Sequence, residues 1–284
     1  MPLLPPLVIG PHTFDLAQRS LIMGVLNVTP DSFSDGGLFY SPNAAIHQAL
    51  QMAAQGADLI DIGGESTRPF SAPVSSQEEI NRVLPIIQAI RQHSDIPISI
   101  DTYKASVAQA ALDAGADIIN DISALRFDPH MVQVAASFKV PVVLMHMQGR
   151  PQDMQVDPHY DNLVAEVKAF LAQRRDFAVS QGISPSHLIL DVGIGFGKTV
   201  AHNLELIRRL DEFLELGCPL LLGVSRKAFI GKILNLPVTD RDIGSLGAMA
   251  VGLTRGAHII RTHNVTFAKQ VAAVVDAVQH GCPD

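Results

Sequence analysis

Three polar segments of the chain combine residue types that bind phosphates and hard cations. They cover residues 27–37, 64–69 and 223–227, and each one follows or closes a run of β-branched apolar residues. Strands that end in polar, glycine-rich loops are how a barrel enzyme builds its active site. The pattern therefore predicts one pocket to which all three segments contribute.

Polar residues also stand at the carboxyl end of nearly every predicted strand. They are Asn27, Asp61, Asp101, Asn120 with Asp121, His146, Asp191, Ser225, and Arg261 with His263. Because the desolvation of polar groups is costly, such a ring has no purpose in a purely structural protein. For any single member, a loop cap is an equally good explanation. The ring as a whole indicates an active site.

Anion-binding residues occur in two parts of the chain that lie far apart. Arg261 and His263 are two residues apart on a predicted strand, so their side chains are expected on the same side. With Arg68 they suit an anion such as pyrophosphate, because guanidinium groups bind phosphate oxygens bidentately. Asn27 and the acidic loop at residues 31–35 offer oxygen ligands of the kind that Mg²⁺ prefers, beside water and substrate phosphate.

The remaining polar strand ends suit a flat heterocycle. A carboxylate such as that of Asp101 or Asp191 accepts two parallel N–H bonds from an amidine-like edge, as in the aminopyrimidine half of a pterin. Asn120 would add a further polar contact. Lys227, directly after the seventh strand, could donate to a substrate carbonyl, and the amino end of the helix that it opens would attract an anionic group.

For three further features, an ordinary structural role is the alternative to a functional one. Phe33 could cover a bound ring as part of a loop, although simple packing is the commoner role. His146 has no second His or Cys in a ligand pattern, so a packed histidine is expected rather than a metal ligand. Residues 193–199 resemble a phosphate loop, but Val192 stands where its first glycine is needed. We expect a tight turn there with Phe196 lining a pocket, and an ordinary flexible turn is the alternative.

These residues are positioned by a repeated unit of short apolar strand, polar loop and amphipathic helix. Predicted strands cover residues 21–28, 57–63, 96–101, 117–122, 140–146, 188–193, 219–225 and 258–263. Predicted helices include residues 76–93, 104–114, 161–180, 203–216 and 265–280. Near-continuous Val, Ile and Leu are typical of strands buried on both faces. Glycines that end helices in a left-handed conformation follow several of these segments.

Eight such units predict an α/β protein, a single-domain (β/α)8 TIM barrel over residues 1–284. Residues 1–20 are expected to form a short hairpin or cap over the bottom of the barrel. An open, doubly wound sheet is the structural alternative.

Composition narrows the class of protein further. The 284 residues fit a barrel, and no stretch approaches the roughly 18 apolar residues of a membrane span. The first ten residues lack the basic flank of a secretory signal, and two cysteines, Cys218 and Cys282, suit a reducing cytoplasm. A net charge of −7 without a basic run argues against nucleic acid as a partner. We therefore expect a cytoplasmic protein that acts on small molecules.

Taken in order, the motifs resemble those of the dihydropteroate synthases in the pterin-binding barrel family. The resemblance spans residues 21–265 and rests on residues 24–37, 58–69, 97–122, 191–198, 223–231 and 261–265. It implies condensation of 6-hydroxymethyl-7,8-dihydropterin pyrophosphate with 4-aminobenzoate to 7,8-dihydropteroate and pyrophosphate in folate biosynthesis. It also implies a homodimer, with the last helices as the interface.

The resemblance assigns roles to individual residues. Pterin contacts would come from Asp101, Asn120, Met145, Asp191, Phe196 and Lys227, and Thr67 would contact the pterin pyrophosphate. Pyrophosphate would be bound by Asn27, Arg68, Arg261 and His263, with Mg²⁺ on Asn27. The 4-aminobenzoate would lie among Phe33, Pro69, Ser225 and Ala228. Asp101, Lys227 and Arg261 would be the catalytic residues.

Two positions depart from the family pattern. Val192 stands where the family usually has Pro, which is expected to alter only the stiffness of the loop. Phe70 stands where Gly commonly follows Arg68 and Pro69, and it is expected to affect 4-aminobenzoate affinity more than pterin binding.

The expected mechanism is a dissociative substitution at the pterin methylene carbon. Pyrophosphate leaves first, assisted by Mg²⁺ and the arginines, and the arylamine then attacks a cation that lies near Asp101. Two alternatives remain. One is a corrinoid-dependent methyltransferase that uses methyltetrahydrofolate, which would not need the anion site. The other is a pterin-binding paralogue without catalysis.

Overall fold

A small antiparallel hairpin precedes the main sheet in the computed structural model, which describes residues 4–29, 42–67 and 71–281. Its strands are β1 (Leu7–Ile9) and β2 (His12–Phe14). Apolar side chains of the hairpin pack against residues at the amino ends of the later strands, among them Leu21, Leu59 and Ile259. The described part of residues 1–20 thus closes the bottom of the barrel, as predicted.

Within the described residues, eight parallel strands close into a barrel in chain order. They are β3 (Leu21–Asn27), β4 (Leu59–Gly63), β5 (Ile98–Asp101), β6 (Ile118–Asp121), β7 (Val142–Met145), β8 (Leu188–Asp191), β9 (Leu220–Leu222) and β10 (Ile259–Thr262). β10 pairs with β9 on one side and with β3 on the other, which completes the ring. The prediction of a (β/α)8 barrel is confirmed, and the open sheet is wrong.

Helices surround the barrel and bury their apolar stripes against its outer face. They are α1 (Pro42–Ala54), α2 (Ser76–Arg91), α3 (Ala105–Asp113), α4 (Met131–Phe138), α5 (Leu163–Ser180), α6 (Val200–Arg208), α7 (Ala228–Leu234), α8 (Asp242–Thr254) and α9 (Val265–His280). Side chains of Ser75, Asn162 and Asn264 accept hydrogen bonds from the first turns of α2, α5 and α9, which satisfies backbone donors that a helix leaves open.

All eight predicted strands exist, and each ends within three residues of its predicted end. One predicted helix, residues 203–216, is wrong in its bounds. Thr199 forms a reciprocal cap with His202, so α6 begins at Val200. It ends at Arg208, and a 3-10 helix (Leu210–Leu216) continues the apolar pattern with tighter turns.

Alternation along the strands determines what lies inside the barrel. In β4, Ile60 and Ile62 face the helices, whereas Leu59 belongs to the cluster at the bottom of the barrel. Asp61 lies between them on the inward side, because successive side chains of a strand point to opposite faces. β10 repeats the arrangement with Arg261 as its inward residue. Charged residues therefore form the layer above an apolar floor.

Candidate active site

Five inward-facing residues meet at the carboxyl end of the barrel: Asp61, Asp101, Asn120, Asp191 and Arg261. Strand register explains part of this arrangement, since Asp101 pairs with Asn120 across β5 and β6. The sequence places these residues far apart, and closure of the ring brings β10 next to β3. The predicted ring of polar strand ends is therefore a three-dimensional cluster.

Arg261 joins two carboxylates. Its Nε donates to Oδ2 of Asp61 at 2.6 Å, and its Nη2 donates to Oδ2 of Asp101 at 2.8 Å. Although burial opposes the charge of the guanidinium, the Asp61 and Asp101 carboxylates raise the pKa of Arg261. Asp61 is fully buried and also accepts from Ser99 Oγ at 2.6 Å and from Asn120 Nδ2 at 3.1 Å.

Asp101 has one oxygen that the protein leaves open. Its Oδ1 is buried and has no hydrogen-bond partner among the described residues, while Oδ2 is held by Arg261. Burial, and secondly the nearby Asp61 carboxylate, raise the pKa of Asp101 to about 7. A buried acceptor without a donor costs about 1–3 kcal/mol. A ligand with an N–H or O–H group in this position would recover that free energy.

Asp191 and Lys227 form the opposite side of the cluster. Asp191 Oδ1 accepts from the Gly193 backbone N–H at 2.7 Å. Burial raises the pKa of the Asp191 carboxyl, and the Gly193 hydrogen bond and Lys227 partly oppose that change. Burial lowers the pKa of Lys227 to about 8, and its Nζ lies 4.3 Å from the centre of the Phe196 ring. The side therefore combines a fixed acceptor with a cationic donor.

An apolar wall stands beside these charges. It consists of Ile122, Met145, Met147, Met154 and Phe196, with Tyr103 and Phe127 packed against it. Flexible Met side chains and a ring edge suit the face of a planar ligand. The arrangement offers an apolar surface for a flat ring and polar groups for its edge.

Comparison with known proteins assigns the chain to a family. The sequence model of the pterin-binding enzyme family matches residues 23–263. The chain belongs to the pterin-binding enzyme family.

Relatives in this family cover almost the full chain. A dihydropteroate synthase of Synechocystis is 50% identical over 96% of this chain and 95% of its own length. That of Escherichia coli K12 is 46% identical over 90% of both chains. A structure of Xanthomonas albilineans dihydropteroate synthase with 4-aminobenzoic acid superimposes with a TM-score of 0.91 at 43% identity, covering 98% of this chain and 99% of the other.

Most residues predicted for the pterin lie together in this pterin-binding barrel. Asp101, Asn120 and Asp191 face its interior, and Met145 and Phe196 belong to one apolar cluster. The roles of these residues toward a ligand remain predictions.

Residues predicted for the other ligands are in part described. Asn27 ends β3 and pairs with Gly63, whose other neighbour is Asp101. Ser225 Oγ and His263 Nδ1 are 2.9 Å apart, which joins the loops after β9 and β10.

The remaining predicted contacts lie at or beyond the edges of the described chain. Thr67 is half-buried at the edge of a described range, and Ala228 is the exposed first residue of α7. Phe33, Arg68 and Pro69 lie outside the described residues, as does Phe70.

Two of the polar strand ends, Asp121 and His146, contact the loops that follow their strands and do not belong to the pterin cluster. Asp121 accepts from the backbone N–H groups of Ser123 and Leu125, so it is a loop cap. His146 is buried, and burial together with the neighbouring Lys198 lowers its pKa to about 2. The interpretation of His146 as a packed histidine agrees with this placement. Within the described ranges, no group of three or more His, Cys, Asp or Glu could hold a metal.

The glycine-rich turn after β8 is shaped by close contacts. Gly193 has a φ of +70°, and a Cβ there would lie 1.9 Å from the His146 carbonyl oxygen. Lys198 turns inward, and its Nζ is 2.9 Å from His146 Nδ1 and donates to the Phe196 carbonyl at 3.0 Å. Burial lowers the pKa of Lys198 to about 7. The loop therefore fixes Phe196, and it is not a phosphate loop.

Sequence reasoning missed several residues of this site. It named Asp61 only as a strand end, and it overlooked Ile122, Met147 and Met154. Alternation along β4 could have placed Asp61 inward, but nothing local identifies a partner 200 residues away. The three apolar residues lie in loops, where side-chain periodicity gives no signal.

Proposed function

We infer that this chain is a dihydropteroate synthase, a transferase that condenses 6-hydroxymethyl-7,8-dihydropterin pyrophosphate with 4-aminobenzoate. The observation that carries the inference is the unpartnered Oδ1 of Asp101, in a strand-end cluster with Asn120, Asp191 and Lys227 that has an apolar wall beside it. Relatives at 44–50% identity bear this name over nearly the whole chain. A structure of the Xanthomonas albilineans enzyme contains 7,8-dihydropteroate and has a TM-score of 0.88 at 41% identity.

In this proposal, charged side chains recognise the edge of the pterin and apolar side chains contact its ring. Its N–H groups donate to the carboxylates of Asp101 and Asp191, and Lys227 donates to its carbonyl oxygen. Phe196 and Met145 lie against the ring. A site whose own buried acceptors lack donors discriminates strongly against analogues without N–H groups at that edge.

Bond cleavage in the proposal leaves an electron pair on the departing diphosphate oxygen. Arg261 and His263 stabilise that charge, with Arg68 as a third predicted contact. The methylene cation is delocalised into the dihydropterin ring, and the negative charge of Asp101 stabilises it. The amine lone pair then forms the new C–N bond, and the amine proton goes to solvent. Because the carboxylates already orient Arg261, little reorganisation is needed at the moment of reaction.

Mg²⁺ belongs to the proposal, with Asn27 as its protein ligand. Asn27 ends β3 in register with Gly63, and an amide oxygen fits a hard cation that takes its other ligands from water and diphosphate. When bound, it would neutralise charge on the leaving group.

A homodimer and a cytoplasmic location complete the proposal. Exposed apolar residues on the last two helices support the first, namely Ile243, Val251, Phe267, Val274 and Val278. They form the kind of surface that a second copy would cover. Light scattering on the purified protein measures the mass in solution, and a monomer would contradict this part. The location rests on the cysteine content alone. Within the described residues, every helix is too short or too polar to cross a bilayer.

The function is tested by pyrophosphate release from the pterin pyrophosphate with Mg²⁺, with and without 4-aminobenzoate. Release that requires 4-aminobenzoate and yields dihydropteroate is the expected result. Pterin binding without pyrophosphate release would contradict the proposal and favour a non-catalytic, pterin-binding paralogue. Asp101→Asn should reduce turnover more than pterin affinity, and equal losses would contradict the electrostatic role of Asp101. Asp113→Asn, on the exposed face of α3, is the matched control.

A further inference from the structure

Lys104 lies outside the pterin cluster and makes an unusually complete set of contacts. It stands between β5 and α3, and its Nζ donates to Glu65 Oε2 at 2.5 Å, Glu79 Oε2 at 2.6 Å and the Val74 carbonyl at 2.7 Å. Only 13% of its side chain is exposed. An ammonium group has three N–H donors, so this lysine is fully used inside the protein.

Two of the three acceptors come from the two ends of one loop, and the third, Glu79, belongs to α2. Glu65 lies two residues after β4, and Val74 lies two residues before α2. The two ends also bind each other, since the Val74 N–H donates to Glu65 Oε2 at 3.2 Å and Ser71 Oγ donates to the Ser66 carbonyl at 2.5 Å. Lys104 therefore holds the described base of the loop, residues 64–67 and 71–75, from both sides.

A second side chain supports the same base. The Tyr103 hydroxyl donates to Glu65 Oε1 at 2.6 Å, so both oxygens of that carboxylate are bound. At the start of the loop, Arg82 Nη1 donates to the Gly64 carbonyl at 2.7 Å. A Cβ at Gly64 would lie 2.8 Å from Val83 and 3.0 Å from Glu79, so the backbone is pressed against α2. The base is rigid by packing as well as by charge.

The charge balance of the cluster makes Lys104 hard to replace. Glu65 and Glu79 are both buried carboxylates, and Glu79 Oε1 has no partner among the described residues. Burial raises the pKa of Glu79, while Lys104 acts to keep it ionised. Without the ammonium group, two carboxylates would face each other in a site with little water, which is strongly unfavourable.

We propose that Lys104 is a positioning residue for the reaction. It fixes the described base of the loop, residues 64–67 and 71–75, from which the predicted substrate contacts extend. In the sequence those contacts are Thr67, at the edge of the base, and Arg68 and Pro69, which lie outside the described residues; they were assigned to the pterin pyrophosphate and to 4-aminobenzoate. The proposal rests on the proposed function. Lys104 touches none of the residues assigned to the pterin ring, so the two tasks can be measured separately.

Lys104→Met in the full-length protein tests the proposal. We expect the KM for 4-aminobenzoate to rise about tenfold or more, because small displacements of positioning elements are costly for reaction rates. The dissociation constant of 6-hydroxymethyl-7,8-dihydropterin, which lacks the diphosphate, should stay unchanged. Amide hydrogen exchange should become faster in residues 64–75 and not in the remaining strands.

Two variants serve as comparisons. Lys269→Met removes another paired lysine, which binds Asp58 at the amino end of the barrel, and it should leave the KM unchanged. Tyr103→Phe removes one hydroxyl at Glu65 and should shift the KM in the same direction by a smaller factor. Tyr103→Phe also keeps the proposal testable if Lys104→Met does not fold.

The outcomes separate the proposal from its premise. A wild-type protein without 4-aminobenzoate-dependent release would refute the function, whatever the variants do. If the wild type is active, an unchanged KM in Lys104→Met refutes the positioning role. Equal losses in 4-aminobenzoate KM and in dihydropterin affinity would also refute it, since they indicate general damage to the barrel.

Discussion

Replacing Asp61 by Asn would test the charge network on which the site depends. The side chain is fully buried and accepts from Arg261, Ser99 and Asn120. An amide has nearly the same shape, but it has one acceptor oxygen and no charge. The substitution therefore leaves the packing intact while it removes the partner of a buried guanidinium.

The expected loss of stability follows from that contact. Removing one partner of a buried ion pair costs about 3–5 kcal/mol, and the lower end applies because Arg261 keeps Asp101. About 1 kcal/mol corresponds to about 2–4 °C in a protein approaching this size, so Tm should fall by about 6–12 °C.

A change in pH dependence should accompany the loss of stability. The Asp61 carboxylate is the second-largest cause of the raised Asp101 pKa, after burial. Without the negative charge of Asp61, the ionised form of Asp101 is less unfavourable, so the pKa of Asp101 falls. If ionised Asp101 is required, activity is lost as pH falls through that pKa. The acidic limb of kcat/KM should therefore move to lower pH in Asp61→Asn.

Thermal denaturation and the pH profile of pyrophosphate release measure the two effects. Asp113→Asn on α3 controls for the chemistry of the substitution at an exposed position. An unchanged Tm together with an unmoved acidic limb would refute the reasoning, because Asp61 would then neither hold Arg261 nor influence Asp101.

Two further substitutions test the pterin side of the site. Lys227→Met should weaken dihydropterin binding by about 10- to 100-fold, since a charged hydrogen bond contributes about 1.5–3 kcal/mol, and calorimetry would measure it. The wild-type affinity should decline above about pH 8, where Lys227 loses its proton, and a similar decline in the variant would contradict this assignment. Gly193→Ala should lower the free energy of unfolding by about 3 kcal/mol or more, because its Cβ would meet the His146 carbonyl. Gly182→Ala, with a φ of +93° and open space, should cost only about 1–2 kcal/mol, and equal losses would show that the contact is unimportant.

Sequence reasoning predicted the barrel because its signals are local. Strands buried on both faces form apolar runs, and glycines with positive φ follow the helices at 56, 115, 182, 217, 256 and 281. The wrong bounds predicted for the helix at residues 203–216 also result from reliance on a local apolar pattern. A 3-10 helix continues the apolar pattern of α6, so periodicity alone does not show where one ends and the other begins.

The site was predictable only as far as strand alternation reaches. Asp101, Asn120 and Asp191 could be placed because each ends an apolar run. The partners of Arg261 could not, since Asp61 and Asp101 precede it by 200 and 160 residues. Pairing at such distances is set by the closure of the barrel.

Barrel closure also explains how Arg261 can serve both the protein and a leaving group. A guanidinium has more N–H groups than the two carboxylates use, and its planar fork keeps the remaining ones in a fixed direction. Asp61 is fully buried below it, whereas Asp101 stands at the end of β5 with one oxygen that has no partner among the described residues. Asp61 therefore fixes the orientation of the Arg261 guanidinium. In the proposed complex, Arg261 is shared between Asp101 and the leaving group. A lysine would supply the same charge without this geometry, because a single ammonium group has no rigid edge with which to hold two acceptors and still face a third.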